Sequence, residues 1–287
     1  MHIPGYQIDQ IIHEGDRSFV YRGRSAAGDP VIIKTPSSEH PGPRQVARFQ
    51  RAFDLGVGVN AEIVVRHIDL IRYRSSVALI TEDYDGVPLN TVIPESGFRL
   101  GPLINISLAL TTALARLHAS GYLHKDIKPG NILINLRTYA LRFIDLDLAA
   151  RFNREGGGTR AADTIEGTLQ YAAPEQLGRI DSPLDDRADL YSLGVTLFHI
   201  ATGRLPFCQT EPAALVHAHV ALPPPVLTNV RNDLPAVFSN IVARLLGKNV
   251  DDRYASAAGL AHDLEECASR LNQTGAIRDL ALAANGI

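Results

Sequence analysis

One stretch near the middle of the chain constrains this sequence more than any other: His-Lys-Asp-Ile-Lys-Pro-Gly-Asn, residues 124–131. It combines a carboxylate at Asp126, a cation two residues later at Lys128 and an amide five residues later at Asn131. A second carboxylate, Asp145, follows an apolar strand-like segment. A base, a cation and oxygen ligands for a metal ion are the groups that phosphoryl transfer requires.

Hydrophobic periodicity predicts which elements surround this stretch. Alternating apolar residues separated by turn-rich pieces predict strands, whereas apolar residues at helical spacing predict helices. Strands are predicted at residues 6–12, 19–23, 30–34, 132–134 and 141–144, and helices at residues 44–55 and 104–118. Residues 6–34 are therefore expected to form strands, and a helix is expected to lead into residues 124–131.

Composition excludes several classes of protein. With 287 residues the chain is long enough for one large domain or two joined lobes, and its net charge of −3 argues against a nucleic-acid binder. The N-terminus lacks a positive region followed by an apolar run, and the most apolar stretch, residues 190–202, is too short to cross a bilayer. Cys208 and Cys267 lie far apart without metal-ligand spacing, as expected of free thiols in a reducing compartment. We therefore predict a cytoplasmic protein without membrane insertion.

Further motifs follow in a fixed order. Phe-Ile-Asp-Leu-Asp stands at residues 143–147, Gly-Thr at 167–168, Ala-Pro-Glu at 173–175 and Asp-Asp-Arg-Tyr at 251–254. Together with residues 124–131 this order resembles the protein kinase superfamily. The segments HKDIKPGNILIN and DLYSLGVTLFHIATGRLPF resemble the sequence of the N-terminal Ser/Thr kinase domain of large bacterial hybrid proteins. In those proteins an ATPase-type domain, a GAF domain and a sensor histidine kinase follow.

This resemblance implies an α+β, bilobal fold with a small, mostly β N-lobe and a larger, mostly α C-lobe. It implies an N-lobe over residues 1–82, a hinge over 83–86 and a C-lobe over 87–270. Residues 271–287 are interpreted as a C-terminal tail or a linker to a further module. The implied reaction is ATP-dependent phosphorylation of a protein hydroxyl with Mg²⁺ or Mn²⁺, in a signalling system whose protein substrate the sequence does not identify.

The resemblance also implies roles for individual residues. The expected catalytic residues are Lys34, Asp126, Lys128 and Thr168, and the expected metal ligands are Asn131 and Asp145. Thr81 would be the gatekeeper, and the Thr168 hydroxyl is expected to bond both Asp126 and Lys128. The expected nucleotide-binding residues are Gly15, Ser18, Val20, Ile32, Lys34, Thr81, Glu82, Tyr84 and Leu133. Glu175 and Arg253 are expected to form a structural ion pair, and Asp189 to brace the catalytic-loop backbone.

The sequence departs from the family pattern at four positions. His13 and Ser18 stand where the outer glycines of the phosphate-covering loop belong, and Asp147 replaces the glycine two residues after the metal-binding Asp145. Ala52 stands where a helix glutamate would pair with Lys34. We therefore expect Lys34 to be loosely held in the nucleotide-free protein, and Ala52→Glu to raise the rate.

Three functions remain open. The chain can be an active Ser/Thr protein kinase, a pseudokinase that serves as a nucleotide-binding docking module, or a small-molecule phosphotransferase. Lys128, Thr168 and the expected Glu175–Arg253 pair disfavour the last. Because the groups expected to touch phosphate or metal are all present and only supporting groups are missing, we predict a slow kinase.

Residues 151–166 are polar, include three consecutive glycines and predict a mobile activation segment. In many kinases an arginine before the catalytic aspartate grips a phosphate on this segment, but here the residue is Lys125. Lysine offers a point charge where arginine makes two parallel bonds. We therefore expect activity not to depend on phosphorylation of Thr159 or Thr164. Arg151, Arg154 and Arg160 would supply some ordering.

Overall fold

The computed structural model divides the chain into two compact units. It describes residues 2–152, 167–178 and 184–277, together with Leu280 and Leu282. The first unit consists of Met1–Asp85 and Arg142–Asp147, and the second of Gly86–Leu141 and Leu148–Ile287. The first unit is built mainly of strands and the second mainly of helices, so the predicted α+β class is confirmed.

A five-stranded antiparallel sheet forms most of the first unit, in the order β1-β2-β3-β5-β4. Its strands and its one long helix are β1 (Tyr6–Glu14), β2 (Ser18–Ser25), β3 (Pro30–Pro36), α1 (Pro43–Gly58), β4 (His67–Tyr73) and β5 (Ser76–Glu82). The three predicted strands and the predicted helix of this region are confirmed, each with a few more residues at its ends.

Side-chain alternation gives this sheet two different apolar faces, because successive residues of a strand point to opposite sides. One face is a cluster of six buried residues, among them Tyr21, Ile33 and Ile80. The other carries Val77 and Leu79, which pack with Phe49 and Ala52 of α1. The helix therefore covers the face that bears Leu79.

Helix α1 approaches β4 so closely that it needs a glycine. A Cβ atom on Gly56 would lie 1.4 Å from Nδ1 of His67, the first residue of β4. His67 is buried, and its ring stacks on Phe53 with 6.5 Å between ring centroids. The helix is thus fixed to the sheet by a histidine that sequence periodicity does not indicate.

The second unit is mainly helical. Its longer helices are α2 (Leu100–Ala119), α3 (Asp186–Thr202), α4 (Pro212–Ala221), α6 (Ala236–Leu245) and α7 (Ala257–Thr274), with a short α5 at Leu227–Val230. Short strands punctuate it: β6 (Val87–Pro88), β7 (Tyr122–Leu123), β8 (Ile132–Ile134) and β10 (Ala150–Arg151), while β9 (Leu141–Phe143) runs across the boundary between the units. β6 pairs with β8, and β7 with β10.

Helix α2 is long and apolar enough to cross a membrane by length and composition alone. Half of its most apolar 18-residue stretch is buried inside the protein, and the helix packs against α7. Those properties are shared by core helices of soluble proteins. Helix α3, which packs against α2 and α6, is buried along almost its whole length and forms the centre of this unit.

Candidate active site

Four predicted site residues of the first unit share one face of the sheet. Val20 pairs with Lys34 across β2 and β3, and Lys34 pairs with Leu79 across β3 and β5. Ile32 pairs with Thr81. Directly paired residues and residues two apart point to the same side of a sheet. The side chains of Val20, Ile32, Lys34 and Thr81 therefore lie on the same side, which is the side that α1 covers at Leu79.

The predicted phosphate-covering loop is the turn of the β1–β2 hairpin. The Gly15 amide donates to the Ser18 carbonyl at 3.0 Å, and a Cβ atom on Gly15 would lie 2.9 Å from Nε2 of His13. Two groups outside the hairpin hold this turn: the Ser37 hydroxyl donates to the Asp16 carbonyl at 2.7 Å, and Gln45 Nε2 donates to the Arg17 carbonyl at 2.9 Å. Sequence reasoning missed these two supports.

Lys34 contacts two carboxylates, and we call Lys34, Asp145 and Asp147 the lysine cluster. The Lys34 Nζ atom lies 2.7 Å from Asp145 Oδ1 and 3.1 Å from Asp147 Oδ2. Burial alone would lower the pKa of Lys34, but the two carboxylates outweigh it and raise that pKa above its usual value. The expectation that Lys34 is loosely held is therefore wrong. It considered only the glutamate missing from α1, whereas the partners of Lys34 are the carboxylates of Asp145 and Asp147.

The residues after β5 are held by charged side chains. Asp83 forms an ion pair with Arg22 at 2.7 Å, and the Tyr84 ring lies 5.0 Å from the guanidinium carbon of Arg142. Glu82 accepts a hydrogen bond from the Arg66 amide through its side chain at 2.9 Å, while its own amide donates to the Arg66 carbonyl. The side chain of Glu82 is thus hydrogen-bonded to the backbone just before β4.

Four residues of the second unit form a compact group around one carboxylate, and we call Asp126, Lys128, Asn131 and Thr168 the catalytic-loop cluster. Asp126 Oδ2 accepts from Lys128 Nζ at 2.7 Å and from Asn131 Nδ2 at 2.8 Å. Asp126 Oδ1 accepts from the Thr168 amide at 2.9 Å. The structure therefore brings together the four residues that the sequence predicted for this loop and for the segment that returns to it.

The contacts of Thr168 differ in one detail from the prediction. Its hydroxyl forms a short hydrogen bond with Lys128 Nζ, as expected. Its contact with Asp126, however, comes from the backbone amide, whereas the resemblance assigns that bond to the hydroxyl. Gly167, with φ +95°, allows this approach, because a Cβ atom there would lie 3.2 Å from the Lys125 carbonyl oxygen.

The backbone beneath the cluster is clamped from helix α3. Asp189 accepts from the amides of His124 and Lys125 at 2.9 and 2.8 Å, as predicted, and also bonds His118 Nε2 at 2.9 Å. Gln176 Nε2 donates to the Lys125 carbonyl at 2.9 Å. Lys125 has a φ of +66°, a conformation that costs free energy for a non-glycine residue and needs such support. His118 and Gln176 were missed because nothing in their local pattern sets them apart.

The predicted ion pair between Glu175 and Arg253 is confirmed. Two parallel contacts of 2.6 and 2.9 Å join the carboxylate to the guanidinium, and both side chains are almost fully buried. Arg253 also donates to the carbonyls of Gly247 and Arg187 at 2.8 and 2.9 Å. A buried pair with this many partners is a structural element that anchors the segment after Thr168.

Asn131 is oriented in a way that suits a metal ligand. Its amide nitrogen donates both to the Asp126 backbone carbonyl at 2.9 Å and to the Asp126 carboxylate. Because both partners are acceptors, the nitrogen has to face them, and the amide oxygen is directed to the other side. Among the described residues no group of three or more His, Cys, Asp or Glu side chains can hold a metal ion by itself. An amide oxygen and single carboxylates fit a hard cation that takes its remaining ligands from phosphate and water.

The remaining predicted residues divide into those with a described environment and those without. Leu133, half-buried in β8, pairs with Pro88 of β6. Arg151 lies over the Tyr122 ring at 5.7 Å. Thr159, Thr164, Arg154 and Arg160 lie outside the described residues.

A strand-rich unit carrying a lysine–carboxylate cluster and a helical unit carrying an Asp–Lys–Asn loop define a protein with the protein kinase fold. The chain belongs to the protein kinase family, since the model of the protein kinase domain matches residues 6–264.

The chain is similar to serine/threonine-protein kinases and to a hybrid histidine kinase. The chain is 35% identical over 269 residues to the serine/threonine-protein kinase Pkn1 of Myxococcus xanthus, covering 91% of this chain and 38% of that protein. It is 32% identical over 275 residues to the serine/threonine-protein kinase PksC of Streptomyces coelicolor, covering 91% of this chain and 48% of that protein. It is 29% identical over 251 residues to the hybrid signal transduction histidine kinase G of Dictyostelium discoideum, covering 64% of this chain and 7% of that protein. The chain thus spans less than half the length of these relatives.

Proposed function

We propose that this chain is an ATP-dependent serine/threonine protein kinase that transfers the γ-phosphoryl group of ATP to a protein hydroxyl. Its membership of the protein kinase family and its Ser/Thr kinase relatives support this proposal. The observation that carries it is the catalytic-loop cluster, in which one carboxylate is held by a lysine, an asparagine and a backbone amide.

Asp126 is the proposed catalytic base. Three donors among the described residues occupy its carboxylate, which has about four acceptor positions, so one position remains for a substrate hydroxyl. The hydroxyl oxygen forms the new bond to the γ-phosphorus, the bond from that phosphorus to the ADP oxygen breaks, and the hydroxyl proton passes to Asp126. Lys128, which the Thr168 hydroxyl fixes in place, offsets negative charge on the moving phosphoryl group.

Lys34, Asn131 and Asp145 are the proposed contacts for the nucleotide phosphates and their cation. A bound Mg²⁺ or Mn²⁺ supplies charge neutralisation of the phosphates. Asn131 and Asp145 would hold the cation, and Lys34 would bind the α- and β-phosphates. The other proposed nucleotide contacts are Gly15, Ser18, Val20, Ile32, Thr81, Leu133 and the backbone from Glu82 to Tyr84.

The remaining assignments also stay proposals. We infer an N-lobe over residues 1–82, a hinge over 83–86, a C-lobe over 87–270 and a tail or linker over 271–287. The hybrid histidine kinase among the relatives supports a place in a signalling system with further modules, and we propose that the chain works in the cytoplasm.

A pseudokinase is the less favoured alternative, because the chain retains every charged group expected to touch phosphate or metal. A small-molecule phosphotransferase is disfavoured by the Lys128–Thr168 bond and the buried Glu175–Arg253 pair. The departures at His13, Ser18 and Ala52 concern supporting groups. We therefore expect a slow enzyme.

Transfer of labelled γ-phosphate to a protein substrate tests the proposal. The parent protein should transfer label in the presence of Mg²⁺, and Asp126→Asn, which keeps the shape but loses the base, should lower the rate at least about a thousandfold, or about 4 kcal/mol in the barrier. Nucleotide affinity should stay within about threefold. A parent that binds ATP but transfers no label is a pseudokinase, and an Asp126→Asn variant with full activity contradicts the proposed base.

A further inference from the structure

Helix α1 brings no carboxylate to Lys34. Ala52, which stands in the expected glutamate position, is buried against Phe49 and Leu79. The only acid among the sixteen residues of this helix is Asp54. Its side chain is exposed and accepts a hydrogen bond from Gln50 Nε2 at 3.0 Å. On the helix side, therefore, Lys34 meets an aromatic ring, with 5.8 Å between its Nζ atom and the Phe49 centroid.

Asp147 fills the missing contact from a different part of the chain. The short 3₁₀ turn Leu146–Leu148 follows Asp145, and it carries the Asp147 carboxylate to within 3.1 Å of Lys34 Nζ. The Lys34 side chain is only 14% exposed and that of Asp147 20%. An ion pair sheltered to this degree is screened less by solvent than a surface pair.

The second carboxylate matters because the first has another task. Asp145 is the proposed cation ligand, and a carboxylate that turns to a metal ion no longer neutralises a neighbouring lysine to the same extent. The cluster holds one cation and two carboxylates, so its formal charge is negative by one. With Asp147 present, Lys34 would keep a counter-ion when Asp145 holds a cation.

We propose that Asp147 is a positioning residue that takes the place of the helix glutamate and holds Lys34 where it meets the nucleotide phosphates. This inference rests on the proposed function of Lys34 and Asp145. It explains two departures at once: the chain lacks the glutamate at position 52, and it has a carboxylate where the family has a glycine.

Nucleotide affinity distinguishes positioning from simple charge. ATP is an anion, so removing a negative charge nearby should tighten its binding if Asp147 acts through repulsion alone. If Asp147 positions Lys34, Asp147→Asn should instead weaken Mg-ATP binding about tenfold. We would measure this by calorimetry in an Asp126→Asn background, where loss of the proposed base slows turnover. Asp54→Asn makes the same charge change at an exposed position of α1, and as the matched control it should shift the affinity less than twofold.

Kinetics and rescue complete the test. Asp147→Asn should raise KM for ATP about tenfold and lower kcat, and it should leave KM for the protein substrate unchanged. Asp147→Glu, which keeps the carboxylate, should retain most of the parent's KM and kcat. In an Asp147→Gly background, Ala52→Glu should recover most of the lost affinity, whereas the uncharged Ala52→Gln should not. If Ala52→Glu prevents folding, the comparison of Asp147→Asn with Asp147→Glu still shows whether Asp147 positions Lys34.

The outcomes separate this inference from the proposed function. Unchanged or tighter ATP binding in Asp147→Asn overturns the positioning role even if the parent is an active kinase. Weaker binding with rescue by Asp147→Glu supports the role even if the parent transfers no phosphate. In that case the proposed kinase activity fails alone.

Discussion

The catalytic-loop cluster and the lysine cluster contrast in how they are supported. Asp126 is held by three donors, and the backbone before it is clamped by Asp189, which is fully buried in helix α3. Lys34 has no acid from its neighbouring helix and relies on two carboxylates that lie two residues apart. The first cluster thus follows the family pattern. In the second, the carboxylate that the family places on the helix is absent, and Asp147 in the turn after Asp145 supplies one instead.

This contrast shows which parts of a site can be exchanged. The Asp126 network depends on many mutually bonded groups, so that losing one leaves others buried and unpaired, at a cost of about 1–3 kcal/mol for each polar group. The lysine cluster needs only a carboxylate within reach of Nζ, and a turn after Asp145 can supply it as well as a helix can. Substitution of a supporting group is therefore easier in the lysine cluster.

The largest expected effect is loss of Asp145. Asp145→Ala removes both the proposed cation ligand and the nearer partner of Lys34, so phosphate transfer should fall by at least about ten-thousandfold, or about 5 kcal/mol. EDTA should abolish the activity of the parent to the same extent. A labelled-phosphate assay, with circular dichroism to establish that the variant is folded, measures this. Full activity in the variant would show that the cation site lies elsewhere, and full activity in EDTA would show that the reaction needs no divalent cation.

The buried ion pair in the helical unit should matter for stability and not for chemistry. Arg253→Lys cannot make two parallel bonds to Glu175 and gives up contacts with two carbonyls, so the free energy of unfolding should fall by about 3 kcal/mol. Denaturant unfolding measures this. Arg270→Lys, at a half-buried pair with Glu266 one helical turn away, is the control and should change stability by less than about 1 kcal/mol. An Arg253→Lys variant as stable as the parent would contradict the structural role.

Much of the catalytic-loop cluster was predictable because its groups are close in sequence. Asp126, Lys128 and Asn131 lie within six residues, and their spacing alone indicates one loop. The fold class followed from the order of the motifs, which resembles the protein kinase superfamily. Asp147 as a partner of Lys34 was not predictable. Asp145 already lies 111 positions from Lys34, and the contact of Asp147 depends on how the turn after Asp145 directs one carboxylate. His67, Gly56 and Gln176 were missed because their contacts depend on how the elements pack, which the local sequence pattern does not show.

Acid should destabilise each unit through a buried histidine, His67 in the first and His219 in the second. Burial lowers the pKa of His67 and of His219 to about 4, whereas an unfolded chain takes up these protons near 6.5. Between these values the unfolded state binds more protons, so stability is fully present above about pH 6.5 and is lost as the pH falls toward 4. Each histidine contributes about 3 kcal/mol over that range.

Denaturant unfolding from pH 7.5 to 4.5 measures this dependence. His67→Gln should remove roughly half of the part of this pH dependence that is due to these two histidines. A parent whose stability is flat over this range would show that the two imidazoles are not buried in the neutral form.

A smaller effect is expected at Thr168. Thr168→Ala removes the hydroxyl that bonds Lys128 but keeps the amide that bonds Asp126, so the rate should fall about thirtyfold, or about 2 kcal/mol. Thr168→Ser keeps the hydroxyl and should restore most of the rate. Steady-state kinetics measure both variants. Equal rates for the alanine and serine variants would mean that the hydroxyl does not position Lys128.

The smallest effect is expected in the activation segment. Lys125, in place of arginine, offers one point charge to a phosphate on this segment, and its backbone is already fixed by Asp189 and Gln176 without any phosphate. Thr159→Ala combined with Thr164→Ala should therefore leave the rate within about threefold of the parent, a barrier change of about 0.65 kcal/mol. Mass spectrometry of the parent establishes whether either threonine carries phosphate. An inert double variant, with phosphate on the parent, would show that the catalytic-loop cluster needs a switch after all and that its support is less complete than these bonds indicate.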